Sequence, residues 1–113
     1  MTMNVRKLSD DYAVAGQLSP ADVEAVAKAG FRAIICNRPD GEGFFQPPYS
    51  EIAGAAARAG LACRYLPITH AGITAADLQA FREALKVLPP PVLAYCTSGA
   101  RSARLWSAAR EDV

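Results

Sequence analysis

The chain has little histidine and little cysteine: one His and three Cys among 113 residues. Each scarcity excludes something. With His70 alone and no C-x-x-C pair, a zinc site would have too few ligands close together in sequence, so no metal is expected. Cys36, Cys63 and Cys96 are odd in number and irregular in spacing. A disulfide framework is not expected of them, and they fit a reducing compartment. No apolar run approaches a membrane span, and the opening MTMNVRKLSDD lacks the apolar stretch of a signal peptide. An excess of charge is missing too. Twelve Lys+Arg against 11 Asp+Glu leave +1 with the histidine neutral, which gives no basis for nucleic-acid or membrane binding. These readings place the protein in the cytoplasm as a single domain over 1–113, with no organic cofactor implied.

What is there is an alternation of short apolar runs and helical patterns, β-β-α-β-α-β-α-β-α. Val5 to Leu8 and Tyr12 to Gly16 read as two strands across the turn-rich Ser9-Asp10-Asp11. Ser19, Pro20 and Asp22 form the start signal of a helix whose inner face is Val23, Val26 and Ala27, stopping at Gly30. Phe31 to Cys36 reads as a buried strand, followed by the long polar loop NRPDGEGFFQPP. A second helix covers Pro48 to Ala59. Ala59-Gly60-Leu61 then repeats the stop-and-strand device of Ala29-Gly30-Phe31, the mark of parallel βαβ units and an α/β fold. Leu61 to Ile68 is the next strand. Thr74 and Asp77 open a third helix with the stripe Leu78, Phe81, Leu85 and Leu88. Pro91 to Tyr95 is the last strand, and a final helix from near Ala100 to the chain end buries Leu105, Trp106 and Ala109.

That last strand delivers Cys96 into four small residues, Thr97, Ser98, Gly99 and Ala100, before Arg101-Ser102 opens the helix. Small residues let consecutive backbone N–H groups converge on one point, and Gly99 permits unusual backbone angles. The helix N-terminus adds unpaired donors and a partial positive charge. Arg101 adds a planar fork suited to an oxyanion, and Ser102 can hydrogen-bond the sulfur. The result is a pocket for a dianion with Cys96 at its floor. A fall of the thiol pKa from ~8.5 to about 6 would raise the thiolate fraction roughly 30-fold at pH 7. Nucleophilicity falls by about 10-fold over the same range, so orientation and charge stabilisation must supply most of the catalysis. Cys36 and Cys63, inside apolar runs, read as structural thiols, and Arg104 as a solvated helix charge.

The loop YCTSGARSARLW, with IICNRPDGEGFFQPP and GLACRYLPI upstream, resembles the beta-lactamase hydrolase-like, protein-phosphatase-like domain family, whose members are also described as sulfur transferases. The resemblance runs from Tyr12 through Trp106. It implies a dual-specificity-phosphatase-like three-layer sandwich: a central, mostly parallel sheet of about five strands with helices on both faces. It also implies Cys96 as nucleophile, Arg101 as the anion-binding arginine, and Arg38 of Asn37-Arg38-Pro39 near the pocket mouth. Thr97 stands where the family usually carries a second arginine. Family members continue further past the final helix than Val113, from which a homodimer is expected.

Four residues separate Cys96 from Arg101, a rhodanese-like spacing, where protein tyrosine phosphatases hold five. In dual-specificity phosphatases an aspartate supplies a proton to the leaving oxygen; the matching stretch here, Pro67 to Gly72, contains no carboxylate. Sulfane-sulfur transfer needs no such acid, since the leaving sulfite or thiolate is a stable anion. The expected function is therefore a sulfurtransferase. It would move sulfur from thiosulfate or a persulfide through a Cys96 persulfide to a thiol or cyanide. One alternative is a cysteine-dependent phosphatase acting on a phosphorylated substrate, with His70 or Asp40 as accessory acid. Another is a non-catalytic oxyanion-binding module.

Overall fold

Alternation decides which side of each strand is packed. The computed structural model describes residues 4–111. Five strands and four helices follow one another: β1 (Val5–Ser9), β2 (Tyr12–Ala15), α1 (Pro20–Lys28), β3 (Ala33–Cys36), α2 (Tyr49–Arg58), β4 (Ala62–Tyr65), α3 (Ala75–Val87), β5 (Val92–Tyr95) and α4 (Ala100–Glu111). The sheet order is β1-β2-β5-β3-β4, with only the β1–β2 pair antiparallel. Ala13, Ala15, Ile34, Leu93 and Tyr95 face one way, onto Val23 and Val26 of α1 and Ile52, Ala55 and Ala56 of α2. Their neighbours Tyr12, Val14, Ala33, Ile35, Val92 and Ala94 face the other way, onto Phe81 and Ala84 of α3 and Leu105 of α4. This is the expected three-layer arrangement, built from period-two alternation in strands buried on both faces.

The predicted capping box of Ser19 with Asp22 is present, and the Thr74 cap proves to be a second box with Asp77, each acid accepting from the cap N–H. Of the expected stripe of α3, Leu78, Phe81 and Leu88 pack inward and only Leu85 does not. Ala84 is buried and Leu85 is 37% exposed, because the face that meets α4 and the sheet runs Phe81, Ala84, Leu88. Strand β4 is shorter than expected. Leu66 N–H makes the last regular bond, to Cys36 O; beyond it the chain is held by Asn37, whose Nδ2–H donates to Leu66 O and whose carbonyl accepts from Ile68 N–H. The last two residues of the expected final helix lie outside the described residues. Among the described residues, no helix is long and apolar enough to cross a membrane.

Candidate active site

The direction of the connections reverses around β5. The strands β2 and β3 flank it, β3 leads outward to β4, and the chain returns through α3 to the centre. Open parallel sheets bind ligands in the crevice at the carboxyl ends of strands where this reversal occurs. Cys96 stands there, directly after Tyr95. Its N–H donates to Ala15 O at 3.3 Å, and Gln17 N–H donates to Thr97 O at 3.2 Å, which ties the loop to the end of β2. Close approach explains two glycines. A Cβ on Gly16 would sit 2.9 Å from Thr97 O, and Gly99 adopts φ +94° against the Ala15 backbone.

Cys96 is only 1% exposed, yet its sulfur is surrounded by donors. Gly99 N–H donates to Sγ at 3.1 Å. Burial alone would push the thiol up; hydrogen bonds from the backbone amides of Ser102, Ser98, Arg101 and Gly99 outweigh it and hold the thiol below its ordinary value. Burial pushes the other two thiols up, and the Cys36 thiol donates to Arg38 O at 3.2 Å, a bond that needs its proton. The three cysteines therefore separate chemically, as their places in the sequence suggest. In an iodoacetamide pH series followed by mass spectrometry, Cys96 should be alkylated below the ordinary thiol range. Cys36 and Cys63 should react only above it. A lowered pKa leaves the thiolate populated as pH falls, so the Cys96 rate should drop only at more acidic pH.

Two details of the loop differ from expectation. The Ser102 hydroxyl donates to Asn37 Oδ1 at 2.8 Å, so Ser102 serves the sulfur through its backbone amide. Ala100 N–H donates to Ser98 Oγ at 3.3 Å, within the turn. Thr97 contributes its hydroxyl, which accepts from Arg101 Nη2. Arg101 is itself 3% exposed and makes four bonds of 2.8 Å. Nη1 donates to Glu42 Oε2 and Ile68 O, and Nη2 to Glu42 Oε1 and Thr97 Oγ1. These bonds and the adjacent charges raise its pKa further.

Glu42 and Asn37 escaped the sequence reading as site residues. Glu42 accepts both arms of Arg101 and, at 3.2 Å, Arg38 Nε. The Arg101 hydrogen bonds hold its carboxyl below the usual carboxylate range. One signal was available: an acid between Gly41 and Gly43, four residues after Arg38. Asn37 is fully buried and links β3 to Leu66 and to Ser102. A polar residue at the end of an otherwise apolar run was its mark. Arg38 lies beside Glu42: its Nη1 donates to Gln17 Oε1 at 3.0 Å and its Nε to Glu42 Oε1 at 3.2 Å. Asp40 is used elsewhere: its Oδ1 accepts from Tyr49 N–H at 2.8 Å and so caps α2, whose N-cap Pro48 has no side-chain donor or acceptor to offer. His70 is 75% exposed, with Nε2 3.8 Å from Glu42 Oε2.

Residues 4–112 match the family model described as beta-lactamase hydrolase-like protein, phosphatase-like domain. The chain is 37% identical over 105 residues to a beta-lactamase hydrolase-like protein of Xylella fastidiosa (strain Temecula1), covering 93% of this chain and 24% of that one. A protein of the same name from Agrobacterium fabrum (strain C58) is 34% identical over 104 residues, with 92% and 24% covered. This chain thus spans about a quarter of the length of these relatives. Among solved structures, a candidate phosphatase from Neisseria meningitidis Z2491 superposes with a TM-score of 0.85 at 36% identity, over 95% of this chain and 78% of that one. Kinase associated phosphatase with its catalytic cysteine replaced by serine shares the fold alone, at TM-score 0.72 and 16% identity over 87% and 63%. These names do not support the expected sulfur transfer and match its phosphatase alternative better. They lend no support to a sulfur donor, a thiol acceptor or a homodimer.

Proposed function

The chain belongs to the family of beta-lactamase hydrolase-like protein, phosphatase-like domains, and on that premise we propose that it is an enzyme that takes a group from an anionic donor onto the Cys96 thiolate. Two reactions suit such a nucleophile, and the geometry favours transfer of sulfane sulfur. The observation that carries this reading is how the acid candidates at the mouth are engaged. Asp40 caps α2, and Glu42 is ionised against Arg101 and Arg38. His70 stands largely in solvent beside Glu42. A leaving alkoxide needs a proton delivered; a leaving sulfite or thiolate does not.

In the proposed cycle the Cys96 thiolate attacks the outer sulfur of thiosulfate or of a low-molecular-weight persulfide. A bond forms between Sγ and that sulfur, and the donor's S–S bond breaks. Sulfite or a thiolate departs with the bonding pair. The amides around Sγ and the Arg101 guanidinium stabilise the charge that remains. Cyanide or an acceptor thiolate then attacks the outer sulfur of the persulfide and releases the Cys96 thiolate.

The second reading, phosphate-ester hydrolysis, is favoured by the phosphatase names and by the fold. There Cys96 would attack phosphorus, the ester P–O bond would break with a proton from His70, and water would cleave the phosphocysteine. Paired assays on one preparation separate the readings. We expect one added sulfur on Cys96 after donor treatment and thiocyanate on adding cyanide, with an alkyl phosphate ester, whose leaving group needs a proton, turned over far more slowly. Fast aryl-phosphate hydrolysis without any Cys96 persulfide would establish the second reading. Anion binding with neither turnover would leave a binding module.

A further inference from the structure

The guanidinium at the centre of the site has its fork already filled. An arginine has five N–H donors, and the paired terminal ones form the fork that grips two oxygens of a phosphate or sulfate. All four terminal N–H groups of Arg101 are taken by Glu42 (twice), Ile68 O and Thr97 Oγ1, each at 2.8 Å. The Glu42 carboxylate therefore lies across the position where two oxygens of a dianion would sit. It is also held from behind. Arg38 Nε donates to it at 3.2 Å, and Arg38 is fixed in turn by Gln17 Oε1 at 3.0 Å. A Cβ at position 43 would meet Arg38 Nη2 at 2.7 Å, so Gly43 allows this packing. Glu42 retains 19% side-chain exposure and Arg101 4%, so the pair is only weakly screened.

Charge follows from the geometry. Arg101 and Arg38 contribute two positive charges, Glu42 and the Cys96 thiolate two negative ones, so the mouth is formally neutral. His70, 3.8 Å from Glu42, adds positive charge only when protonated. A dianion entering this neutral mouth meets the carboxylate directly. A group with one charge or none needs only the loop amides that already surround Sγ.

We propose that Glu42 sets the charge of the donor: by occupying the Arg101 fork it disfavours dianions and selects a reacting group with at most one negative charge, the class of low-molecular-weight persulfides. The persulfide assignment rests on the sulfur-transfer reading; the discrimination against dianions does not. The alternative role is purely positional, with Glu42 holding Arg101 ready for the anion. The two roles predict opposite effects.

The test measures protection of Cys96 from iodoacetamide by inorganic phosphate at pH 8 and by nitrate, in the parent, Glu42→Gln and Glu42→Ala, with circular dichroism to confirm folding. Removing the carboxylate charge should lower the phosphate concentration for half-protection by about 10-fold and that of nitrate, with half the charge, by only about 3-fold. The rate ratio of thiosulfate to cysteine persulfide should rise by about 3-fold. Phosphate protection unchanged or weakened in both folded variants would overturn the proposal and make Glu42 a positioning residue. If the parent forms no persulfide but the phosphate shift appears, the sulfur-transfer reading fails and the charge selection stands.

Discussion

Replacing Cys96 by serine is expected to reduce sulfur transfer to cyanide by about 10⁴-fold or more, with the fold retained. The sulfur is the only atom proposed to form a covalent bond to the donor, and a serine hydroxyl is not ionised at neutral pH. The exchange is nearly isosteric, and the Gly99 amide that donates to Sγ would find an oxygen acceptor instead. Initial rates by thiocyanate formation, with far-ultraviolet circular dichroism on the same sample, check both halves. Transfer by the serine variant at the parent rate would remove Cys96 from the chemistry. A second control comes from the other thiols: burial holds both Cys36 and Cys63 above the ordinary value, so the serine variant is expected to carry no added sulfur on either at neutral pH.

Arg101→Lys should lower kcat/KM by roughly 10²–10³-fold, because one ammonium cannot satisfy Glu42, Ile68 O and Thr97 Oγ1 together and still hold positive charge beside Sγ. Structure suffers as well as chemistry. Arg101 joins the loop (Thr97), the segment after β4 (Ile68 O) and the long polar loop (Glu42), three pieces of chain distant in sequence. Arg101→Ala would leave the Glu42 carboxylate with Arg38 as its remaining bonded cation and remove the Arg101 donor from the Ile68 carbonyl. The expected cost is about 2–3 kcal/mol, below that of a fully enclosed pair because the Glu42 side chain keeps 19% exposure. Urea denaturation measures it. The backbone amides facing Sγ do not depend on the guanidinium, so Cys96 in the lysine variant should still alkylate readily at neutral pH. A variant with parental transfer rates would show that the arginine only braces the loops.

Local signals carried most of the architecture. Ser19 with Asp22 and Thr74 with Asp77 are short-range capping boxes, satisfied within one helical turn whatever the rest of the chain does. The strand ending at Cys96 and the helix opening at Ala100 were readable for the same reason, and they bring Cys96, Gly99 and Arg101 together within six residues. Less local features were misplaced. Whether Leu85 or Ala84 is buried in α3 depends on how α4 lies against it, a tertiary contact. The Ser102 hydroxyl goes to Asn37, 65 residues away in sequence, and not to the sulfur, a competition that no local pattern announces.

From its residues alone, this chain determined an α/β alternation, the loop around Cys96 and a thiol served by converging amides, all of which arise from spacings of a few residues. Only the tertiary structure decided what faces Arg101. Glu42 is 59 residues from it in sequence and reaches it because β3 and β5 lie side by side, carrying their following loops to one edge of the sheet. Ion pairs between distant loops leave no periodic trace, so the charge balance at the mouth emerges only once the strands are ordered.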